Sequence, residues 1–89
     1  MTNRRNKWRL IRSLQLEMDT IRKRLRVKYH GKEDRVYFDI CDLSGRIIRT
    51  GEMVTPEHSI DLKDLKGEDY IFLLLDGQDI RRKRFSWVD

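Results

Sequence analysis

The stretch RVYFDICDLSGRIIRTG, residues 35–51, decides the fold of this 89-residue chain. Val36, Phe38 and Ile40 alternate with Tyr37, Asp39 and Cys41, which gives one apolar and one mixed face, the pattern of a half-buried strand. Asp42-Leu43-Ser44-Gly45 supplies turn residues, and Gly45 is free to take the positive φ of a short hairpin loop. Ile47 and Ile48 restart the apolar pattern and Gly51 closes it. The stretch therefore predicts a β-hairpin near the centre of a small all-β domain.

Downstream, Met53 and Val54 end the second strand, and Thr55-Pro56-Glu57-His58 reads as a loop because proline lacks a ladder donor. Ile60 and Leu62 alternate with Asp61 and Lys63 in a short strand. A loop over residues 64–69 follows, with Leu65 tucked under the fold. Residues 70–75, YIFLLL, are apolar on both faces, so this should be the most buried strand. Asp76-Gly77 is a two-residue hairpin signal. The last strand is expected to carry Ile80, Phe85 and Trp87 inward, with the basic run Arg81-Arg82-Lys83-Arg84 on its exposed positions.

Upstream the pattern admits two readings. Trp8, Ile11, Leu14, Met18, Ile21 and Leu25 recur every three or four residues, as on one face of an amphipathic helix, and the helix propensities of the segment agree. Yet Leu14, Leu16 and Met18, then Leu25, Val27 and Tyr29, alternate with polar residues on either side of Asp19-Thr20. The strand reading gives the central hairpin neighbours on both sides and is adopted. The alternative is an α+β fold with an N-terminal helix. Seven strands, at about 13–19, 24–30, 35–42, 46–54, 59–62, 70–76 and 79–88, predict an immunoglobulin-like two-sheet sandwich over residues 13–89, preceded by a loosely tied basic arm at 1–12.

Composition bounds the function. One small core is all that this length allows. The hydrophobic fraction is 38% and the charged fraction 39%, but the periodic placement of aromatic and β-branched residues argues against disorder. No apolar run nears the roughly 18 residues of a membrane-spanning helix. Met1 is followed by charges and by no 7–15-residue apolar stretch, so the chain is expected either to stay in the cytosol or to represent a form without its leader. A single cysteine, Cys41, rules out an internal disulfide. Net charge is +5, unevenly spread: residues 1–29 carry ten Lys/Arg against two acids, residues 30–80 six against twelve, and residues 81–89 four against one.

VYFDICDLSGRIIRTG, then SIDLKDLKGEDYIFLLLDG, then RRKRFSWV, is similar in pattern to the C-terminal sorting domains of type IX secretion. It is at least as similar to a related group of small secreted Bacteroidetes immunoglobulin-like domains of unknown function, whose first strand RSLQLEMD at residues 12–19 also resembles. Two residues separate Gly67 from Tyr70 where the sorting domains usually have one, and no cargo domain is expected upstream. The free-standing secreted group is the better match. The resemblance implies the fold, export to the periplasm or beyond, and no catalysis.

No catalytic constellation stands out. His30 and His58 are expected in separate loops without ligand spacing. Cys41 lacks a base partner and reads as structural. Asp39/Asp42 and Asp61/Asp64 are acid pairs of the kind that hold calcium with loop carbonyls, but in no EF-type loop, and read as solvated turns. The five glycines are scattered turn residues and form no phosphate loop. No cofactor or metal is therefore expected. Two basic clusters, Arg22-Lys23-Arg24-Arg26-Lys28 and Arg81-Arg82-Lys83-Arg84, are the candidate sites. If first and last strands lie side by side at an edge, these clusters merge into a positive stripe suited to an acidic protein, glycan or lipid surface. The competing readings are protection of sheet edges and pairing with the chain's own acidic middle. The sequence thus predicts a non-enzymatic extracytoplasmic binding module. The alternative is a cytosolic nucleic-acid-binding protein using its basic ends.

Overall fold

The structure, a computed structural model, describes residues 14–31, 35–54 and 56–87. Seven strands run β1 (Gln15–Asp19), β2 (Arg24–Lys28), β3 (Arg35–Asp42), β4 (Ile47–Val54), β5 (Glu57–Asp61), β6 (Asp69–Asp76) and β7 (Asp79–Ser86). They form a three-stranded sheet, β1-β2-β5, and a four-stranded sheet, β4-β3-β6-β7, every neighbour antiparallel. Consecutive strands change sheets at β2–β3, β4–β5 and β5–β6, which is the immunoglobulin-like connectivity with the fourth strand on the larger sheet. The arm at 1–12, the first residue of the predicted domain, the turn at 32–34 and the chain end lie outside the described residues.

The segment that admitted two readings is a pair of antiparallel strands, with Leu16 opposite Val27 and Met18 opposite Leu25. Leu25, Val27 and Tyr29 are buried at every second position, a burial that a helix would forfeit, and this outweighs the helix propensity of the intervening residues.

The core lies between the sheets. Leu25, Val27 and Ile60 from one side meet Val36, Phe38, Ile40, Met53, Phe72 and Leu74 from the other. The rings of Phe38 and Phe72 stack with centroids 5.6 Å apart. Gly51 sits opposite Phe38 in mid-strand, and the space that a Cβ would take is filled by the Phe38 ring, 2.8 Å from it. At the start of β6, the Tyr70 hydroxyl donates to the Lys66 carbonyl, 2.8 Å away. This is the tyrosine corner of immunoglobulin-type sandwiches. Trp87 Nε1 donates to the Leu65 carbonyl at 3.0 Å, so two aromatic side chains hold the β5–β6 loop, and Leu65 is buried as the sequence suggested.

The central hairpin closes through one side chain. Asp42 Oδ1 accepts from the Ser44 and Arg46 backbone N–H groups and the Ser44 hydroxyl, while Gly45, at φ 93°, turns the chain. A bulge between Ile40 and Cys41 sets Ile48 as the extra residue of β4. The β6–β7 turn is the predicted two-residue loop, with Gly77 at φ 62°.

Three expectations are corrected. Glu57 and His58 belong to β5, paired with Lys28 and Val27, because the Pro56 carbonyl still accepts from the Tyr29 N–H although proline donates nothing. His58 is therefore a half-buried strand residue against the Phe38 ring and not a loop residue. Ile80 points outward and is 68% exposed, since it is five positions from Phe85 and the strand alternates every two.

Candidate interaction surface

The alternation that buries Leu25, Val27 and Tyr29 places Arg24, Arg26 and Lys28 on the outer face of the three-stranded sheet. There they meet acids on both neighbours. Lys28 Nζ lies 3.3 Å from Glu17 of β1, and Arg26 lies 3.6 Å from Glu57 of β5. Arg24 Nε donates to Ser59 Oγ and stands in register between Asp19 and Asp61. Arg22 pairs with Asp19 at 3.8 Å in the β1–β2 turn. Lys23, beside it, is a non-glycine residue at φ 56°, its carbonyl accepting from Leu62 N. Three strand cations thus stand among the four carboxylates of Glu17, Asp19, Glu57 and Asp61, and the face is close to neutral.

The second cluster is divided by its own strand. Phe85 and Trp87 are buried, so Arg81 and Lys83 share the inner side of β7 while Arg82 and Arg84 face outward. Lys83 Nζ donates to the Leu14 carbonyl at 3.1 Å and ties β7 to the start of β1 across the sheets. On the opposite flank, the Arg49 guanidinium donates to the Asp61 carbonyl and does the same for β4 and β5. Arg81 lies beside Tyr29, whose hydroxyl donates to the fully buried Asp76 at 2.7 Å. Burial, then the bond to Asp76, pushes the Tyr29 hydroxyl above its ordinary pKa. Arg84 pairs with Asp69, which also accepts from Ser86 Oγ at 2.6 Å.

The structure does not bring the two clusters into one stripe. β1 and β7 do meet at an edge, but the cations of β2 and those of the outer side of β7 lie on opposite faces of the sandwich. Among the described residues, Arg22, Arg26, Lys28 and Arg84 of the nine candidates have an ion-pair partner; Arg24, Arg81 and Lys83 are held by hydrogen bonds to neutral groups, and Lys23 and Arg82 by neither.

The outer face of the four-stranded sheet is different in kind. In its centre Ile71, Leu73 and Leu75 of β6 project outward, half-buried. Around them Tyr37 is 56% exposed, Ile47 58%, Val54 54% and Ile80 68%. Strand register orders this surface in rows: Tyr37, Leu75 and Ile80; Asp39, Leu73 and Arg82; Cys41, Ile71 and Arg84. The sequence reading missed this face. It took apolar residues on both sides of β6 as burial on both sides, whereas in a two-layer sandwich each sheet buries only one face. The doubly apolar run was the signal.

The remaining polar groups serve the fold. Cys41 is buried, and that burial, with Asp39 and Asp42 nearby, pushes its thiol above the ordinary value, leaving it in the neutral, unreactive form. Two open depressions of about 350 and 200 Å³ flank the β3–β4 turn and the β5–β6 loop. In the larger, Asp42 and Asp69 are already engaged by Ser44 and Arg46 and by Ser86 and Arg84, while Glu68, which lines both, and Asp64 of the smaller are exposed. Among the described residues no group of three acids, histidines or cysteines is placed to hold a metal ion. Compared with known proteins, the chain matches no family model and no curated protein sequence.

Proposed function

We propose that this protein is a non-enzymatic interaction domain that engages its partner through the outer face of the four-stranded sheet. The carrying observation is the row of Ile71, Leu73 and Leu75 at the centre of a sheet face, with exposed Tyr37 and Ile80 beside it. Contiguous apolar surface rimmed by charge is the property of surfaces that are covered in use. The opposite face, where each β2 cation stands among carboxylates, offers little unbalanced charge to an anionic polymer. This weighs against nucleic acid as the partner. The similarity to small secreted Bacteroidetes sandwich domains adds an extracytoplasmic location to the reading.

A photo-crosslinking amino acid tests it. With p-benzoylphenylalanine replacing Ile80, irradiation of the cells that make the protein should give discrete adducts. The same group at Arg26, on the opposite face, should give none. Adducts of equal yield at both positions, or at neither, overturn the reading.

A further inference from the structure

We infer that the partner of this face is a second copy of the same chain, packed face to face about a two-fold axis that runs along β6. The inference rests on the reading of the face as an interaction surface and names its occupant. The order of the rows selects this pairing. The central row reads Asp39 on β3, Leu73 on β6 and Arg82 on β7, that is acid, apolar, base at successive strands. Neither Asp39 nor Arg82 has an ion-pair partner among the described residues.

A two-fold axis lying in the interface, parallel to the strands and over β6, exchanges β3 with β7 and keeps each row in register. Leu73 then meets its own copy, and so do Ile71 and Leu75. Asp39 of each copy comes to face Arg82 of the other, twice, and Tyr37 faces Ile80. The surface is self-complementary in charge and in shape class, which is what an isologous interface requires. Other two-fold placements fail this test. An axis across the strands stacks β7 on β7 and β3 on β3, so Arg82 never meets Asp39, and at the central row it meets its own copy. An axis midway between β3 and β6 sets Leu73 over Asp39 and Arg82 over Thr50. Sheets packed face to face stand about 10 Å apart, within reach of an arginine side chain near the axis.

β3, β6 and β7 share six rows, a patch of about 14 by 20 Å. That is below the size of a stable specific interface and in the range of weak, transient contacts, so the dissociation constant is expected on the order of 10–100 μM. The Asp39–Arg82 exchange contributes register and choice of partner more than affinity.

Sedimentation of the purified chain from about 5 to 500 μM should show a monomer–dimer equilibrium in that range. Asp39→Arg alone and Arg82→Asp alone should each weaken it by about 10- to 100-fold, because each sets like charges opposite one another. An equimolar mixture of the two variants should recover a dimer, since every Arg then faces an Asp across the axis. Leu73→Lys should abolish association while leaving the circular dichroism spectrum unchanged, and it serves if either charge variant folds poorly. A wild-type chain that stays monomeric throughout, or a mixture that stays as weak as its components, overturns the inference. The crosslink at position 80 separates the two proposals. An adduct of twice the chain mass supports self-association. Adducts of other masses only overturn it and leave the interaction reading standing, and no adduct overturns both.

Discussion

Tyr70 carries more of the architecture than any exposed residue. Its hydroxyl is the donor that ends the β5–β6 crossover, and its ring stacks on Phe85 at a centroid distance of 5.6 Å. Tyr70→Phe keeps the ring and orphans the Lys66 carbonyl, which should cost about 1–2 kcal/mol. Thermal unfolding should show it as a fall in Tm of roughly 5–15 °C for a domain of this size. Cys41 makes the opposite point. Buried and held neutral by its surroundings, its thiol should ignore a disulfide reagent in native buffer and react fully in denaturant. A stoichiometric native reaction would contradict its placement. The sequence suggested a structural cysteine because no base stands next to it, but only the sheet shows that Asp39 and Asp42 also discourage the thiolate.

At the scale of the element, turns set the registers. The β3–β4 turn depends on Asp42, whose carboxyl is held below its ordinary pKa first by the Ser44 hydroxyl and then by the Arg46 backbone. Asp61 and Asp69 are lowered as well, by the Lys63 backbone and by Ser86 with Arg84. A carboxyl whose folded pKa lies below its unfolded value binds fewer protons in the folded state. Its stabilisation is complete above the unfolded pKa of about 4 and is lost as pH falls through the folded one. Denaturant midpoints should therefore be flat down to about pH 5 and fall steeply below pH 4. Asp42→Asn should lower the midpoint at pH 7 and flatten the acid limb. Tyr29, raised, gives the other side: its contribution is present below about pH 10 and is lost as pH rises through its folded value. The β1–β2 turn holds an energetic reserve. Lys23 adopts a left-handed conformation that disfavours any residue with a Cβ, so Lys23→Gly should raise stability by about 0.5–1 kcal/mol in equilibrium unfolding.

At the scale of the whole molecule, the two sheets are joined by more than their apolar core. Each flank of the sandwich is bridged by a cation from the larger sheet reaching a backbone carbonyl of the smaller one, Lys83 to Leu14 and Arg49 to Asp61. Lys83→Met and Arg49→Met retain the stems and remove the donors, and each should cost about 0.5–1 kcal/mol. Because the bridges lie on opposite flanks, the double variant should lose the sum, within about 0.5 kcal/mol. A double variant that loses much more would mean the flanks are coupled through the core. The Lys83 bridge and the contact of Arg81 with Tyr29 give two members of the basic run inward roles, which leaves Arg82 and Arg84 as its outward charges.

The sequence by itself determined the seven strands, their turns and the two-layer class. Alternation in and out is a local property, and the residues at Gly45 and Gly77 select hairpin turns without help from distant parts of the chain. It also predicted an interaction module, but looked for its surface in the two basic clusters and not on the apolar sheet face. Only the tertiary structure decided which sheet each strand joins, and hence which charges meet. Arg26 and Lys28 are neutralised by Glu57 and Glu17 because β2 lies between β1 and β5, a pairing no local pattern encodes. The same holds for Leu73: its hydrophobicity was plain, but its outward position follows from Phe72 and Leu74 turning to the single core that two sheets enclose.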